Sequence, residues 1–274
     1  MRALASIRRS FFDSIRKGGV AISKCHVGIA MNAVDVVNES ADVVIYGGYD
    51  ALASAVETGR VIVQRTRLYL HYILSGNVCE VGVFILALIF NTPLPMTAIM
   101  LLIINLLTDA APAMAMAFEK KDKDIMSQQP RSATEGIING PIWVSIAVQG
   151  MISSAFLFLV FIYCLPLGLV VAQTAPFTAY MFQKLLRAFT ARSFTRSVFE
   201  YGFLSNRFTV IAVVFAFFVW LVMVYGVTGW SGTAPIPSLT LLWLFLLSLI
   251  FPVIEEVMKF TRRKKRSLVT SVTQ

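Results

Sequence analysis

The chain has 274 residues, of which 57% are hydrophobic and only 14% charged, with a mean hydropathy of +0.73. A soluble globular domain is nearer half apolar and a quarter charged, so this composition excludes that class. The formal net charge of +9 does not signal a nucleic-acid surface either, because all 24 Lys and Arg fall in four blocks, residues 2–67, 120–131, 184–207 and 259–266. Between the blocks, the stretches around Asn91–Pro95, Leu165–Thr174 and Gly226–Pro237 carry no charged residue. This alternation is the positive-inside pattern of a polytopic membrane protein, and it predicts both termini on the cytoplasmic side of the cell membrane. The lipid bilayer is therefore an expected partner and nucleic acid is not. Cys25, Cys79 and Cys164 show no CxxC spacing and no paired His, so they read as reduced thiols, neither a disulfide framework nor a zinc site.

Residues 1–19 form a basic tail with scattered apolar residues and no continuous apolar run, which argues against a secretory signal. Asp13 and the short length also weigh against a mitochondrial presequence. Residues 20–60 have a different character. Val27–Met31 and Asp42–Tyr46 read as short buried strands, with a short helix over Asn32–Ala41 between them. Strand, helix and strand in so few residues is a βαβ-like piece of a parallel sheet, too small to bury a core by itself. A long helix begins at Tyr49 as a cytoplasmic stalk and becomes apolar at Leu68–Phe90, the first expected span. Asn91-Thr92-Pro93-Leu94-Pro95 is a turn by composition. Met96–Phe118 is the second span, Glu119–Asn139 a charged loop, and Pro141–Cys164 the third span. Thr174–Thr190 is a more polar fourth span, followed by Phe208–Tyr225 and Pro237–Met258. Each approaches the twenty or so residues that a hydrocarbon core of about 30 Å requires. The fold class is thus mainly α, a helical membrane bundle of about six spans over residues 61–274, with a small βαβ-like cytoplasmic fragment before it.

The second span carries an unusual polar set. Asn105, Thr108 and Asp109 are spaced i, i+3, i+4, which on an α-helix places their oxygens on one face. The first span repeats the device with Asn77 and Glu80. A carboxylate at bilayer depth costs roughly 2.5–3.5 kcal/mol on insertion scales and usually marks an ion or proton path. Oxygen-only donors of this kind suit a hard cation such as Ca²⁺. The alternative is that these groups only hold helices together. Pro112 is expected to bend or loosen the second span where its polar groups sit.

Several ordered motifs resemble P-type cation-transporting ATPases. Val27-Gly28-Ile29-Ala30-Met31, Glu39-Ser40-Ala41-Asp42-Val43-Val44 and Ala55-Val56-Glu57-Thr58-Gly59-Arg60 resemble the end of that family's phosphorylation domain. Ser75-Gly76-Asn77-Val78-Cys79-Glu80-Val81 resembles the fifth membrane helix of its calcium-pump branch, and Asn105-Leu106-Leu107-Thr108-Asp109 the sixth. Asp124-Ile125-Met126 with Pro130-Arg131 resembles the loop that follows. The similarity is strong over residues 20 to about 165 and weak beyond. It implies that the spans are membrane helices five to ten of a pump, and that Asn77, Glu80, Asn105, Thr108 and Asp109 are cation ligands.

The same resemblance shows what the sequence does not contain. It has no DKTGT motif with its catalytic aspartate, because Asp122-Lys123-Asp124 lacks the following threonine. It has no GDGxND motif for Mg²⁺ ahead of Ala21, where Ser14–Val20 stand instead. Phosphoryl transfer depends on such groups, so no catalytic residue and no bound cofactor are expected in this chain, and Mg-ATP belongs only to an intact pump. The expected function is the transport domain of an ATP-driven cation pump, Ca²⁺ being the expected cargo, either acting with a separately encoded N-terminal half or arising from a split or truncated gene. The alternatives are a stand-alone cation pathway or pump regulator, or a non-functional truncated remnant. One residue departs from the resemblance: Lys184 falls where calcium pumps carry an acidic or amide ligand. It reads either as an interfacial anchor together with Arg187, or as a counter-ion to Glu80 or Asp109. A one-residue shift in register would place Gln183 there instead.

Overall fold

Short apolar runs near the start of the chain form strands, and the long apolar runs after them form helices. The computed structural model describes residues 27–122, 125–127, 135–194 and 196–272. The tail at residues 1–19 and the motif residues Asp124, Pro130 and Arg131 lie outside them.

The described residues divide into two compact units, one of residues 27–61 with 125–127 and one of residues 62–122 with 135–194 and 196–272. In the first, β1 (Ile29–Met31) and β2 (Val43–Ile45) pair in parallel, Ile29 with Val43 and Met31 with Ile45, joined through the short helix α1 (Asp35–Asn38). Asn32 adopts the left-handed conformation at φ 46°, and its side chain bonds both backbone groups of Gly47 at 2.8 and 3.0 Å. An asparagine tolerates that conformation because its short amide supplies the hydrogen bonds locally. The Arg60 guanidinium donates to the Ile125 carbonyl at 2.9 Å, attaching the described loop residues to this unit.

Helix α2 (Tyr49–Ile89) carries the first span. After it come α3 (Ala98–Ile103) and α4 (Ala110–Ala115), which with the turns around them make the second span, Ala98–Phe118. The third is α5 (Gly140–Cys164), continued by one tight turn. Then come α6 (Leu169–Thr190), the short α7 (Val198–Tyr201), α8 (Arg207–Leu221), the short α9 (Thr228–Ser231), α10 (Ser238–Ser248) and α11 (Ile250–Val272). Thr97, Asn139 and Asn206 cap the starts of α3, α5 and α8, accepting backbone N–H groups that no helical carbonyl reaches. Gly168, at φ 107°, allows the sharp reversal between α5 and α6. Pro252 has no N–H for the Ser248 carbonyl, which accounts for the break at Leu249 between α10 and α11.

Among the described residues, five helical segments are long and apolar enough to cross a membrane. Helix α6, at 22 residues, is long enough to be a sixth but too polar to qualify, and it begins at Leu169 rather than Thr174. The physical reason lies in packing. Helix α6 is almost wholly buried and packs against α5, α8, α10 and α11, so its polar groups face neighbouring helices rather than lipid. The Trp220 indole donates to Thr178 at 3.2 Å and Ser248 donates to the Ala179 carbonyl at 3.3 Å, each satisfying a polar group away from water. Around α6 lies the apolar core, including Val83, Met100, Leu157, Phe161, Phe177 and Trp220.

One end of this bundle is tied by a buried ion pair. The Arg192 guanidinium, 2% exposed, forks onto both oxygens of Glu119 at 2.8 Å. Its other N–H groups reach the carbonyls of Gly202 and Phe203 and the Ser205 hydroxyl, so all five of its donors are used. Asn206 donates to the same carboxylate at 3.0 Å, and Arg65 donates to the Glu119 carbonyl at 2.6 Å. Breaking a buried pair from one side leaves an uncompensated charge and costs about 3–5 kcal/mol. Glu119→Leu is therefore expected to lower the thermal unfolding midpoint in detergent sharply. Lys120→Gln, at the exposed neighbouring position, should leave it within error. Equal midpoints for the two variants would remove this pair from the account of stability.

Candidate functional site

The second span is not a regular helix where its polar groups sit. Between Ile104 and Thr108 it widens into a π-helical turn, closed by the Asp109 N–H donating to the Ile104 carbonyl at 2.8 Å. Pro112 supplies no N–H for the Thr108 carbonyl, so the α-helical ladder is already interrupted on that side. Such bulges re-aim side chains and recur at functional sites. Here the turn overrides the i, i+3, i+4 argument. Thr108 points inward, 1% exposed, and its hydroxyl donates to the Ile104 carbonyl at 2.8 Å. Asn105 and Asp109 instead line a cleft of about 300 Å³ together with Asn77, Tyr69, Ile73 and Met114. The structure thus brings Asn77, Asn105 and Asp109 to one cleft and turns Thr108 away from it.

Glu80 joins this group through hydrogen bonds. Its Oε2 accepts from the Asn105 amide at 2.9 Å and its Oε1 from the Tyr180 hydroxyl at 3.1 Å. The two carboxylates of the first and second spans are therefore treated differently. Glu80 is held by neutral donors, whereas Asp109 Oδ2 is bonded directly to the ammonium of Lys184. Both side chains of that ion pair are buried, at 2% and 4% exposure. The ammonium also lies over the rings of Tyr72 and Tyr180, with centroids at 5.2 and 5.0 Å. Asp109 Oδ1, by contrast, is buried with no hydrogen-bond partner. Gln183 is buried as well, and its Nε2 makes no hydrogen bond.

Lys184 and Arg187 do not reach an interface, as anchors would. Arg187 is 5% exposed and donates at 2.8 Å to both Ser75 and Gln149. Its Nε lies 3.8 Å from Glu255 on α11, and Glu255 also accepts from the Thr190 hydroxyl. A second buried charge cluster thus ties the first, third, fourth and sixth spans together, next to the first. Sequence reasoning did not single out Tyr72, Tyr180 or Glu255. The signals were present, since Tyr180 precedes Lys184 by one helical turn and Glu255 precedes Lys259 by the same interval.

Among the described residues no three His, Cys, Asp or Glu side chains gather closely enough to hold a metal. The available donors are two carboxylates and the amide oxygens of Asn77 and Asn105. All are hard oxygen ligands, which suits an alkali or alkaline-earth cation in passage better than a resident transition metal.

A family model described as cation transporting ATPase, C-terminus, matches residues 93–261. Among curated proteins, a calcium-transporting ATPase of Bacillus subtilis (strain 168) is 30% identical over 211 residues, covering 75% of this chain and 24% of the relative. Calcium-transporting ATPase type 2C member 1 of Homo sapiens is 28% identical over 261 residues, covering 93% of this chain and 28% of its own length. The chain spans about a quarter of the length of the curated relatives it matches.

The cleft makes a direct prediction about accessibility. In a background with the native cysteines replaced by Ala, Asn77→Cys and Asn105→Cys should react readily with a small hydrophilic thiol reagent. Thr108→Cys should react far more slowly. Equal labelling at positions 105 and 108 would mean that the second span runs as an ordinary α-helix with both residues on the cleft.

Proposed function

The chain belongs to the family of cation transporting ATPase C-termini, and on that premise we propose that its membrane bundle carries Ca²⁺ through the cleft between its first two spans. The observation that carries this reading is that Asn105 lines one cleft with Asn77 and Asp109 and bonds through its amide to Glu80 on the neighbouring span. Two acids at bilayer depth are more than helix adhesion requires. The relatives named as calcium-transporting supply the identity of the cargo. In this reading Asn77, Glu80, Asn105 and Asp109 offer oxygens to the passing ion. Thr108 contributes no ligand, because its hydroxyl is committed to the Ile104 carbonyl inside the π turn.

Lys184 sets how many ions pass. Opposite charges in contact favour both ionised forms, and pairing offsets the cost of burying either one alone. A tethered ammonium on Asp109 takes up the charge and the space that a second transported ion would need. The site then handles a single cation per cycle, with Glu80 as the acid that has no ammonium on it.

These residues carry neither DKTGT nor GDGxND, and in this reading the phosphorylation and nucleotide-binding parts that complete the pump lie outside them. Asn77 and Asn105 are exposed on the surface of the bundle, and amides facing lipid are costly unless another helix covers them. This supports further membrane helices packing on that face. The block distribution of Lys and Arg supports cytoplasmic termini in the cell membrane.

Two measurements test the proposal. Incubated with labelled ATP, Mg²⁺ and Ca²⁺, the purified chain should form no acid-stable phosphoenzyme. Cation-stimulated labelling of this polypeptide would overturn the division of labour. In equilibrium Ca²⁺-binding experiments, Lys184→Gln should raise the number of ions bound per chain or tighten binding about tenfold, equivalent to about 1.4 kcal/mol. Unchanged stoichiometry and affinity would remove the counter-ion role.

A further inference from the structure

Gly76 makes room for Lys184. It lies on the first span, one turn before Glu80, and the lysine side chain crosses directly over it. A Cβ added at Gly76 would collide with the ammonium, and would stand 3.0 Å from Lys184 Cε and 2.9 Å from the Tyr180 hydroxyl oxygen. Lys184 therefore fills the volume that any other residue at position 76 would claim.

Two aromatic rings form further walls. Tyr180 and Tyr72 lie with ring centroids 5.0 and 5.2 Å from the ammonium. The Tyr180 hydroxyl, with one proton to share, lies 3.0 Å from the Gly76 carbonyl and 3.1 Å from Glu80 Oε1, which fixes that ring against the first span. With the Asn105 amide on its other oxygen, Glu80 faces neutral donors on both sides. The ammonium is thus left to Asp109.

We propose that Gly76, Tyr72 and Tyr180 form an ammonium cage that assigns Lys184 to Asp109 and keeps it off Glu80. Gly76 and Tyr180 are then positioning residues for the cation site. The proposal rests on the counter-ion reading above and deepens it by specifying what the position recognises. Two ring faces and one carboxylate oxygen attract a compact organic cation. A Ca²⁺ ion wants about six to eight oxygens and finds too few there. The cage is therefore selective for a primary alkylammonium, which in this protein is supplied by the chain itself.

The test uses the full chain in detergent micelles with ¹⁵N-labelled lysine. A buried, hydrogen-bonded ammonium exchanges its protons slowly and gives an observable ¹H–¹⁵N signal, assigned to Lys184 by its loss in Lys184→Gln. Gly76→Ala should abolish that signal. Gly82→Ala, which pushes a Cβ to 2.7 Å from Ser154 further along the same helix, should keep it. A signal that survives Gly76→Ala, or that disappears in both variants, overturns the proposal. Should Gly76→Ala fail to fold, Lys184→Ala provides the second arm. With the cage emptied, ¹⁵N-ethylammonium should bind saturably to Lys184→Ala and not to the natural chain; no binding, or equal binding to both, overturns the cage. These readouts need no transport. A Ca²⁺ stoichiometry unaffected by Lys184→Gln would remove the counter-ion reading while the ammonium signals continue to report on the cage.

Discussion

The ammonium of Lys184 and the carboxylate of Asp109 can occupy the interior of a helix bundle only as a pair, and much of the architecture answers to that requirement. Either charge alone at this depth would bear a desolvation cost of several kcal/mol. The helix that carries Lys184 must consequently be surrounded by other helices, and α6 is the most completely enclosed helix in the bundle. Gly76 must be free of a side chain, the second span must turn Asp109 toward α6, and Tyr180 must occupy Glu80. Arg187, one turn further along α6, is handled by the same logic with a different set of partners, Ser75, Gln149 and Glu255. Fixed contacts on both sides of the first span hold the register between it and α6, and that register decides which acid the lysine meets.

Much of the fold was legible in the residues because the bilayer imposes a coarse rule. Apolar runs of about twenty residues separated by basic blocks can be satisfied by helices alone. The five apolar spans and the small parallel sheet followed from hydropathy, period and turn chemistry. The fourth span was the exception for a physical reason. Hydropathy measures the cost of facing lipid, and α6 hardly faces lipid, so Gln183, Lys184 and Arg187 lower its hydropathy even though they mark its importance. Its beginning at Leu169 depends on Gly168, whose positive φ is a matter of backbone geometry that composition does not announce.

Less of the site was legible. The pairing of acids with amides on the first two spans could be read from their spacing, and the departure at Lys184 was visible as a charge in the wrong place. The fate of Thr108 was not. Its expected position assumed 3.6 residues per turn, while the π turn at Ile104–Thr108 inserts an extra residue and sends its hydroxyl back to the Ile104 carbonyl. Pro112 hinted at disorder in the ladder but could not say which side chain would be re-aimed. The choice between Glu80 and Asp109 as the partner of Lys184 was likewise beyond spacing arguments, because it depends on Tyr180 and Gly76 meeting across two helices.

The most direct measurement of the central claim is a double-mutant cycle on the ion pair, using Lys184→Met, Asp109→Leu and the combined variant, with stability read from reversible unfolding in mixed micelles. Each single substitution strands a buried charge and should cost about 3–5 kcal/mol, while the double variant, which strands none, should recover most of that loss. Single effects that instead sum to within about 0.5 kcal/mol in the double variant would show that the two groups are independent. The bundle would then be organised around something other than this pair.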